Sequence, residues 1–172
     1  MSSSSWRELK AVALEVDKVL KGLKADGTKT RVHRTLVHGD FKAENVLFDS
    51  NMERCAAYDF QYSGEALGVR DVAYMFASSV HDTNVLQFDL DDDLLRYYHD
   101  KLLQELRRHG KAAAAESYSF EVMVAQYELC LLDYLRFMAG WGMWGNVRWL
   151  RERCKHILPR VQEVIHVARS GW

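Results

Sequence analysis

Apolar side chains recur every three or four residues in five stretches of the chain, the spacing of one buried face of an α-helix. This pattern predicts helices over about residues 6–24, 71–80, 91–109, 117–139 and 144–167. The fourth stretch is apolar on nearly every side, so we expect that helix at the centre of a bundle. Pro159 is expected to kink the last helix. The serine run in residues 1–5 is expected to be disordered.

Short β-prone segments fill the interval between the first two predicted helices. Residues 45–49 and 54–58 read as two strands, and the polar turn between them predicts a β-hairpin. Residues 35–38 are also β-prone, whereas residues 62–68 and 81–89 read as a loop and a connector. The predicted fold class is α+β and mainly α, with residues 1–172 forming one domain.

Composition narrows the possible partners. The chain has 172 residues, 48% of them apolar, and its net charge is -1, so no global field attracts nucleic acid or an anionic membrane. No run approaches the roughly 20 apolar residues of a membrane span, and no signal peptide is visible. The three cysteines are odd in number, and their spacing suits no zinc site. We therefore expect a cytoplasmic protein with neither a nucleic-acid nor a membrane partner.

Candidate chemistry is concentrated in the segment VHGDFKAEN and in the tetrapeptide YDFQ that follows it. Asp40 is followed five residues later by Asn45, and Asp59 comes fourteen residues after that. Phosphoryl transfer uses one carboxylate at the attacking hydroxyl, with an amide oxygen and a second carboxylate on Mg²⁺. Kinase catalytic loops have an aspartate and an asparagine at this same offset, followed by an Asp-Phe pair.

These motifs, together with GVRDVAY at residues 68–74, resemble the aminoglycoside phosphotransferase and choline kinase superfamily. The likeness is greatest to its ecdysteroid-kinase-like branch, and it is strong over residues 36–76 and diffuse from there to the C-terminus. The resemblance implies a protein-kinase-like fold, of which this chain supplies the helical C-terminal lobe. It also implies ATP as phosphate donor, Mg²⁺ as cofactor and the hydroxyl of a small molecule as acceptor.

The motif residues receive roles from their spacing and from this resemblance. Asp40 is the predicted catalytic base, and Asn45 and Asp59 are the predicted ligands of Mg²⁺ and its nucleotide. Each is also a residue type common in turns, but the joint spacing favours the functional interpretation. Lys42 either contacts the transferring phosphate or is a solvated loop lysine.

Three further residues are predicted to support the loop. His38 is expected to pack beneath it, and Asp71 to brace it, to cap the following helix, or both. Gln61 replaces the glycine of the protein-kinase Asp-Phe-Gly triplet, which favours the rigid loop of a small-molecule kinase.

Acidic and aromatic residues further along the chain leave alternatives open. Glu128 and Asp133 lie on the most apolar helix and either line the acceptor site or, more often for such residues, have a partner or reach solvent. Trp141, Trp144 and Trp149 favour core packing or an interface over a ligand cage.

The N-terminal β-lobe of a complete kinase is the part that we expect to be absent. Only 37 residues precede His38, and one helix takes most of them, whereas five strands need roughly twice that number. The chain is then part of a longer kinase, a half-fold that binds or scaffolds with little turnover, or a chain completed by a partner. An exposed apolar surface would favour a homodimer or a second chain.

Overall fold

Seven α-helices and four short strands make up the part of the chain that the computed structural model describes, residues 1–80 and 90–172. The predicted α+β, mainly helical class is confirmed at this level. No helix among these residues is long and apolar enough to cross a membrane. The helices are α1 (Ser3–Leu20), α2 (Val69–Ser78), α3 (Leu90–Arg108), α4 (Ala112–Ser117), α5 (Phe120–Trp141), α6 (Val147–Ile157) and α7 (Val161–Ala168). The strands are β1 (Arg34–Val37), β2 (Val46–Phe48), β3 (Cys55–Ala57) and β4 (Gly64–Leu67).

Helix α5 is the central element, as its apolar circumference predicts. The Ser119 hydroxyl caps it by accepting the backbone N–H of Val122 at 3.2 Å. Thirteen of its side chains are buried, and α1, α2, α6 and α7 pack around it. Burial on every side of one helix explains why neighbouring helices from both ends of the chain share a single core.

The C-terminal helix breaks where Pro159 predicts a kink. Helix α6 ends at Ile157, a short 3₁₀-helix covers Leu158–Arg160, and α7 begins at Val161. Proline lacks the N–H that would continue the helical hydrogen bonds, so a break at this position is expected. The break divides one predicted helix into two, both with a face in the core.

Two two-stranded antiparallel sheets flank the predicted catalytic loop. The expected hairpin is confirmed, with Val46 opposite Ala57 and Phe48 opposite Cys55. Residues 62–68 are not wholly a loop, however, because β4 pairs with β1 in a register that sets Arg34 opposite Leu67. This pairing returns the chain after Asp59 to the start of the loop.

The N-terminus also differs from expectation. Residues 1–5 are not disordered, because α1 begins at Ser3 and the Ser2 hydroxyl accepts the backbone N–H of Ser5 at 3.2 Å. Trp6 packs against the core and anchors this first turn. The helix ends at Leu20 instead of residue 24, since Gly22 adopts a φ of 72°. The expected connector over residues 81–89 lies outside the described residues.

Candidate active site

Asp40 lies on the loop between β1 and β2 and is the point where three predicted residues meet. Its side-chain Oδ2 accepts hydrogen bonds from Asn45 Nδ2 at 2.9 Å and Lys42 Nζ at 3.0 Å. Asn45 Nδ2 also donates to the backbone oxygen of Asp40 at 2.9 Å. Asp40 and Asn45 are buried, whereas Lys42 is half-buried. The structure thus brings Asp40, Lys42 and Asn45 together around one carboxylate.

Tyr74, for which no role is predicted from the sequence, binds the other oxygen of this carboxylate. Its hydroxyl donates to Asp40 Oδ1 at 2.7 Å. Tyr74 follows Asp71 by three residues on α2, so both side chains lie on the same side of the helix. That spacing is the signal from which a second contact between α2 and the loop could have been inferred.

The pKa of the Asp40 carboxyl is held below its ordinary value by these donors. Burial raises the pKa, but the hydrogen bonds from Tyr74, Lys42 and Asn45 and the charge of Lys42 lower it further. In return, the hydrogen bond to Asp40 raises the pKa of Lys42, and the charges of Glu44 and Asp59 add to that effect. At neutral pH the site therefore contains an ionised carboxylate beside a protonated lysine.

Asp71 braces the loop through its backbone. Its two carboxylate oxygens accept the N–H groups of His38 at 2.7 Å and Gly39 at 3.0 Å. His38 is buried beneath the loop, where Nε2 donates to the Tyr58 backbone oxygen at 2.8 Å and Nδ1 accepts the Asp40 N–H at 3.3 Å. His38 and Asp71 therefore both contact the backbone of the loop, and their supporting roles in a reaction stay predictions.

Asp59 lies two residues after the end of β3 and is exposed. Its backbone is left-handed, with a φ of 64°, a conformation that aspartate tolerates better than most residues. The register that pairs Val46 with Ala57 places Asn45 and Tyr58 side by side, with Asp59 next along the chain. Gln61 Nε2 donates to Asp59 Oδ2 at 3.3 Å, so the predicted role of Gln61 in fixing this loop has a geometric basis.

A magnesium site here would depend on oxygen donors of two different kinds. Within residues 1–80 and 90–172, no group of three or more His, Cys, Asp and Glu side chains is arranged to hold a metal. The Asn45 amide nitrogen donates both of its hydrogen bonds to Asp40, so the Asn45 amide oxygen faces away from Asp40. That oxygen and the Asp59 carboxylate suit Mg²⁺, which takes few protein ligands and keeps waters or phosphate oxygens for the rest. The assignment of Asn45 and Asp59 to Mg²⁺ stays a prediction.

Glu128 and Asp133 have ion-pair partners in the structure. Buried Glu128 accepts a hydrogen bond from Arg160 Nη2, and Asp133 accepts one from Arg136 Nε at 3.0 Å. Burial raises the pKa of Glu128, although the charge of Arg160 and its hydrogen bond oppose the rise. The partnered interpretation therefore describes both residues better than contact with an acceptor does.

The fold and the loop define a mainly helical α+β protein with a braced aspartate–asparagine loop. The model of the ecdysteroid kinase-like family matches residues 4–111, more than half of the 172-residue chain. The chain belongs to the ecdysteroid kinase-like family, part of the protein-kinase-like and choline kinase superfamily, and the predicted resemblance is confirmed. No curated protein and no solved structure gives a match to it.

Removing the Tyr74 hydroxyl should make Asp40 easier to protonate. In Tyr74→Phe, Asp40 loses one of the hydrogen bonds that lower its pKa, so the pKa rises. Above the pKa of an unfolded aspartate, about 4, the ionised Asp40 carboxylate contributes its full stability to the fold, and that stability is lost as the pH falls through the lower pKa of the folded state. The substitution moves this loss to higher pH. NMR titration of the Asp40 carboxyl carbon measures the shift directly.

Tyr97→Phe is the matched control, because Tyr97 is 65% exposed on α3. Its titration curve for Asp40 should overlay that of the wild type. An unchanged midpoint in Tyr74→Phe would show that the Tyr74 hydrogen bond does not set the protonation of Asp40.

Proposed function

We propose that this chain carries the catalytic loop of an ATP- and Mg²⁺-dependent phosphotransferase that acts on the hydroxyl of a small molecule. Membership of the family supports a kinase-like phosphotransferase at family level, and kinase-like families generally use ATP and Mg²⁺. The observation that carries the proposal is the convergence of Lys42, Asn45 and Tyr74 on the buried carboxylate of Asp40. We further propose that the fold is the C-terminal lobe of a kinase-like enzyme.

Each residue of the candidate site has its own role in the proposed reaction. Asp40 orients the acceptor hydroxyl and takes its proton as the hydroxyl oxygen bonds to the γ-phosphorus and the bond to the ADP oxygen breaks. Asn45 and Asp59 would hold Mg²⁺, which supplies neutralisation of the phosphate charge. Lys42, which is ion-paired with Asp40, would contact the transferred phosphate. The description of the family names ecdysteroids, so steroid alcohols are the first acceptors to assay.

Titration with ATP in the presence and absence of Mg²⁺ tests the nucleotide site. Isothermal calorimetry should give saturable, Mg²⁺-dependent binding that weakens by more than about tenfold in Asp59→Ala, because a direct metal ligand is lost. Asp100→Ala, which removes a carboxylate 83% exposed on α3, should bind like the wild type. Binding that is independent of Mg²⁺, or equal in Asp59→Ala, contradicts the assignment.

A binding or scaffold role with little turnover is the second candidate. Seven large apolar side chains between residues 36 and 62, the segment that contains the candidate loop, are at least 46% exposed. They are Leu36, Leu47, Phe48, Met52, Tyr58, Phe60 and Tyr62. Such a surface next to two small sheets with unpaired edges favours coverage by another chain. Mg²⁺-dependent ATP binding without phosphoryl transfer to any alcohol would select this role.

We propose that a second copy of the chain covers this surface. Two identical apolar faces with free strand edges complement each other in a two-fold dimer. Sedimentation equilibrium should then give a dimer mass for the 19.9 kDa chain, and Phe48→Lys should shift it to monomer. A monodisperse monomer over a wide concentration range contradicts the dimer. If the chain forms a complex only with a different protein and no dimer with itself, that protein and not a second copy covers the surface.

A further inference from the structure

A buried hydrogen-bond cluster joins the segment before β1 to the C-terminal end of α7. Its centre is the side-chain amide of Gln126, a fully buried residue of α5. The amide nitrogen Nε2 lies 3.1 Å from His33 Nδ1 and donates to the Ala168 backbone oxygen at 3.2 Å. The amide oxygen Oε1 accepts the Tyr118 hydroxyl at 2.9 Å. Gln126 therefore connects three separate parts of the fold through one amide group.

This arrangement fixes which nitrogen of the His33 ring carries the hydrogen. A backbone carbonyl can only accept, so the contact with Ala168 requires the amide nitrogen of Gln126 on that side. The same amide nitrogen directs its other hydrogen to His33 Nδ1, which must therefore be the acceptor. The ring is neutral, with its hydrogen on the buried Nε2. A second hydrogen, on Nδ1, would set two N–H groups against each other.

The His33 ring is enclosed on two sides. It lies 4.4 Å from the Tyr118 ring between centroids, and its Cε1 is 3.8 Å from the position that a Cβ on Gly171 would take. Gly171 belongs to the C-terminal turn, residues 169–172, and Trp172 at the end of this turn packs against the core. The backbone of His33 is left-handed, with a φ of 59°, a conformation in which histidine and asparagine are enriched. The C-terminal turn thus rests against the imidazole.

The charged groups on the segments next to this imidazole have other contacts. Arg31 and Arg34, on its own segment, both form ion pairs with Glu65. Arg169, in the C-terminal turn, has its guanidinium carbon 5.9 Å from the centre of the Trp172 ring. No counter-ion for a protonated ring is therefore provided by these segments.

The remaining titratable neighbours lie on the side of α3 and α5. Burial raises the pKa of the Tyr118 hydroxyl, so this group is neutral near pH 7. His99 lies behind Tyr118 and donates from Nε2 to the Tyr118 backbone oxygen at 2.8 Å. Burial lowers the pKa of His33, with the Ser117 backbone as the smaller, opposing contribution, and no charge within residues 1–80 and 90–172 adds to either effect.

We propose that His33 is a pH-sensitive switch, whose neutral ring holds the C-terminal turn to the segment that enters β1 and whose protonation releases the turn. A protonated ring leaves Gln126 two orientations. In the present one, its N–H group opposes the N–H of His33, and in the reversed one, its oxygen opposes the Ala168 carbonyl oxygen. Either orientation leaves a buried polar group without its partner. The inference goes beyond the proposed function and does not depend on it.

The switch should make the fold less stable in acid. An unfolded histidine binds a proton below about pH 6.5, whereas the folded His33 ring resists protonation. The stability that the neutral ring contributes is complete above that pH and is lost as the pH falls toward the lower pKa of the folded state. Within this window one proton raises the unfolding equilibrium constant by at most about tenfold per pH unit. Because β1 begins at the next residue, the switch acts on the strand that leads into the candidate loop.

An NMR titration through the pH range of histidine tests the switch. The resonances of the His33 ring, the Gln126 side-chain amide and the Trp172 indole N–H should change with one shared midpoint below about pH 6.5. His33→Asn keeps a hydrogen-bond acceptor and tolerates the left-handed backbone but cannot be protonated, so the changes at Gln126 and Trp172 should disappear. His166→Asn replaces an exposed histidine of α7 and should titrate like the wild type.

Urea denaturation over the same pH range is the second measurement. The unfolding equilibrium constant should rise more steeply with acid in the wild type than in His33→Asn. The inference is overturned if Gln126 and Trp172 follow the midpoint of the His99 ring, if their changes persist in His33→Asn, or if His33 titrates without any change at Gln126. Should His33→Asn fail to fold, the wild-type titration decides alone, since a shared midpoint supports the switch and separate midpoints contradict it.

Discussion

Gly39→Ala is expected to lower the free energy of unfolding by roughly 3 kcal/mol or more. Gly39 has a φ of 83°, which costs an alanine about 1 kcal/mol or slightly more. A Cβ there would also lie 2.2 Å from the backbone oxygen of Tyr62, an atom that cannot rotate away. The loop and the 3₁₀-helix that follows Asp59 (Phe60–Tyr62) must therefore separate, which disturbs Asp40 and Asp59 together. Urea denaturation monitored by circular dichroism measures the loss.

Gly27→Ala is the matched control for this substitution. Gly27 has a φ of 82°, but nothing lies within 4 Å of the position a Cβ would take. Its variant should lose only the backbone contribution, about 1 kcal/mol. The difference between the two variants isolates the contact with Tyr62. Equal losses would mean that the loop and the 3₁₀-helix are not closely packed in solution.

The helices could be predicted from sequence because their signals are local. The all-apolar circumference of α5, its Ser119 cap and the break at Pro159 each lie within a few residues of the element that they define. Where the prediction fails, local signals are weak. Residues 62–68 are polar and glycine-containing, and only pairing with β1, about thirty residues earlier, makes part of them a strand. Such a strand depends on tertiary contacts more than on its own propensity.

In the candidate site, too, the contacts between residues close in sequence could be predicted, whereas those between distant residues could not. The spacing of Asp40 and Asn45 predicts that they act together, and the structure joins them directly. Tyr74 was not predicted, because its hydrogen bond to Asp40 spans 34 residues and a tyrosine near a helix start is unremarkable by itself. Trp141, Trp144 and Trp149 are predicted to lie in a core or an interface; Trp149 packs against the core, whereas Trp141 at the end of α5 is 81% exposed. Periodicity shows which residues share a face of α5, but not whether another helix covers that face.

Asp71→Ala should release the candidate catalytic loop and cost about 2–4 kcal/mol of stability. Asp71 is the acceptor for two backbone N–H groups, those of His38 and Gly39, in a partly buried position. Alanine leaves both donors without this partner, and each buried, unsatisfied group costs about 1–3 kcal/mol, less where water can reach it. Because these two residues precede Asp40 directly, Mg²⁺-dependent ATP binding should weaken in the same variant.

Two control variants distinguish the loss of the Asp71 hydrogen bonds from the loss of its negative charge. Asp71→Asn keeps one acceptor oxygen but turns an NH₂ group toward the second donor, so its loss of stability should lie between those of the wild type and Asp71→Ala. Asp100→Ala removes an exposed carboxylate and should change stability by less than about 0.5 kcal/mol. If Asp71→Ala were as stable as Asp100→Ala, the loop would be held by the His38 contact with Tyr58 and by β1 alone. The single turn of α2 between Asp71 and Tyr74 would then orient the Asp40 side chain through Tyr74 without supporting the backbone around Asp40.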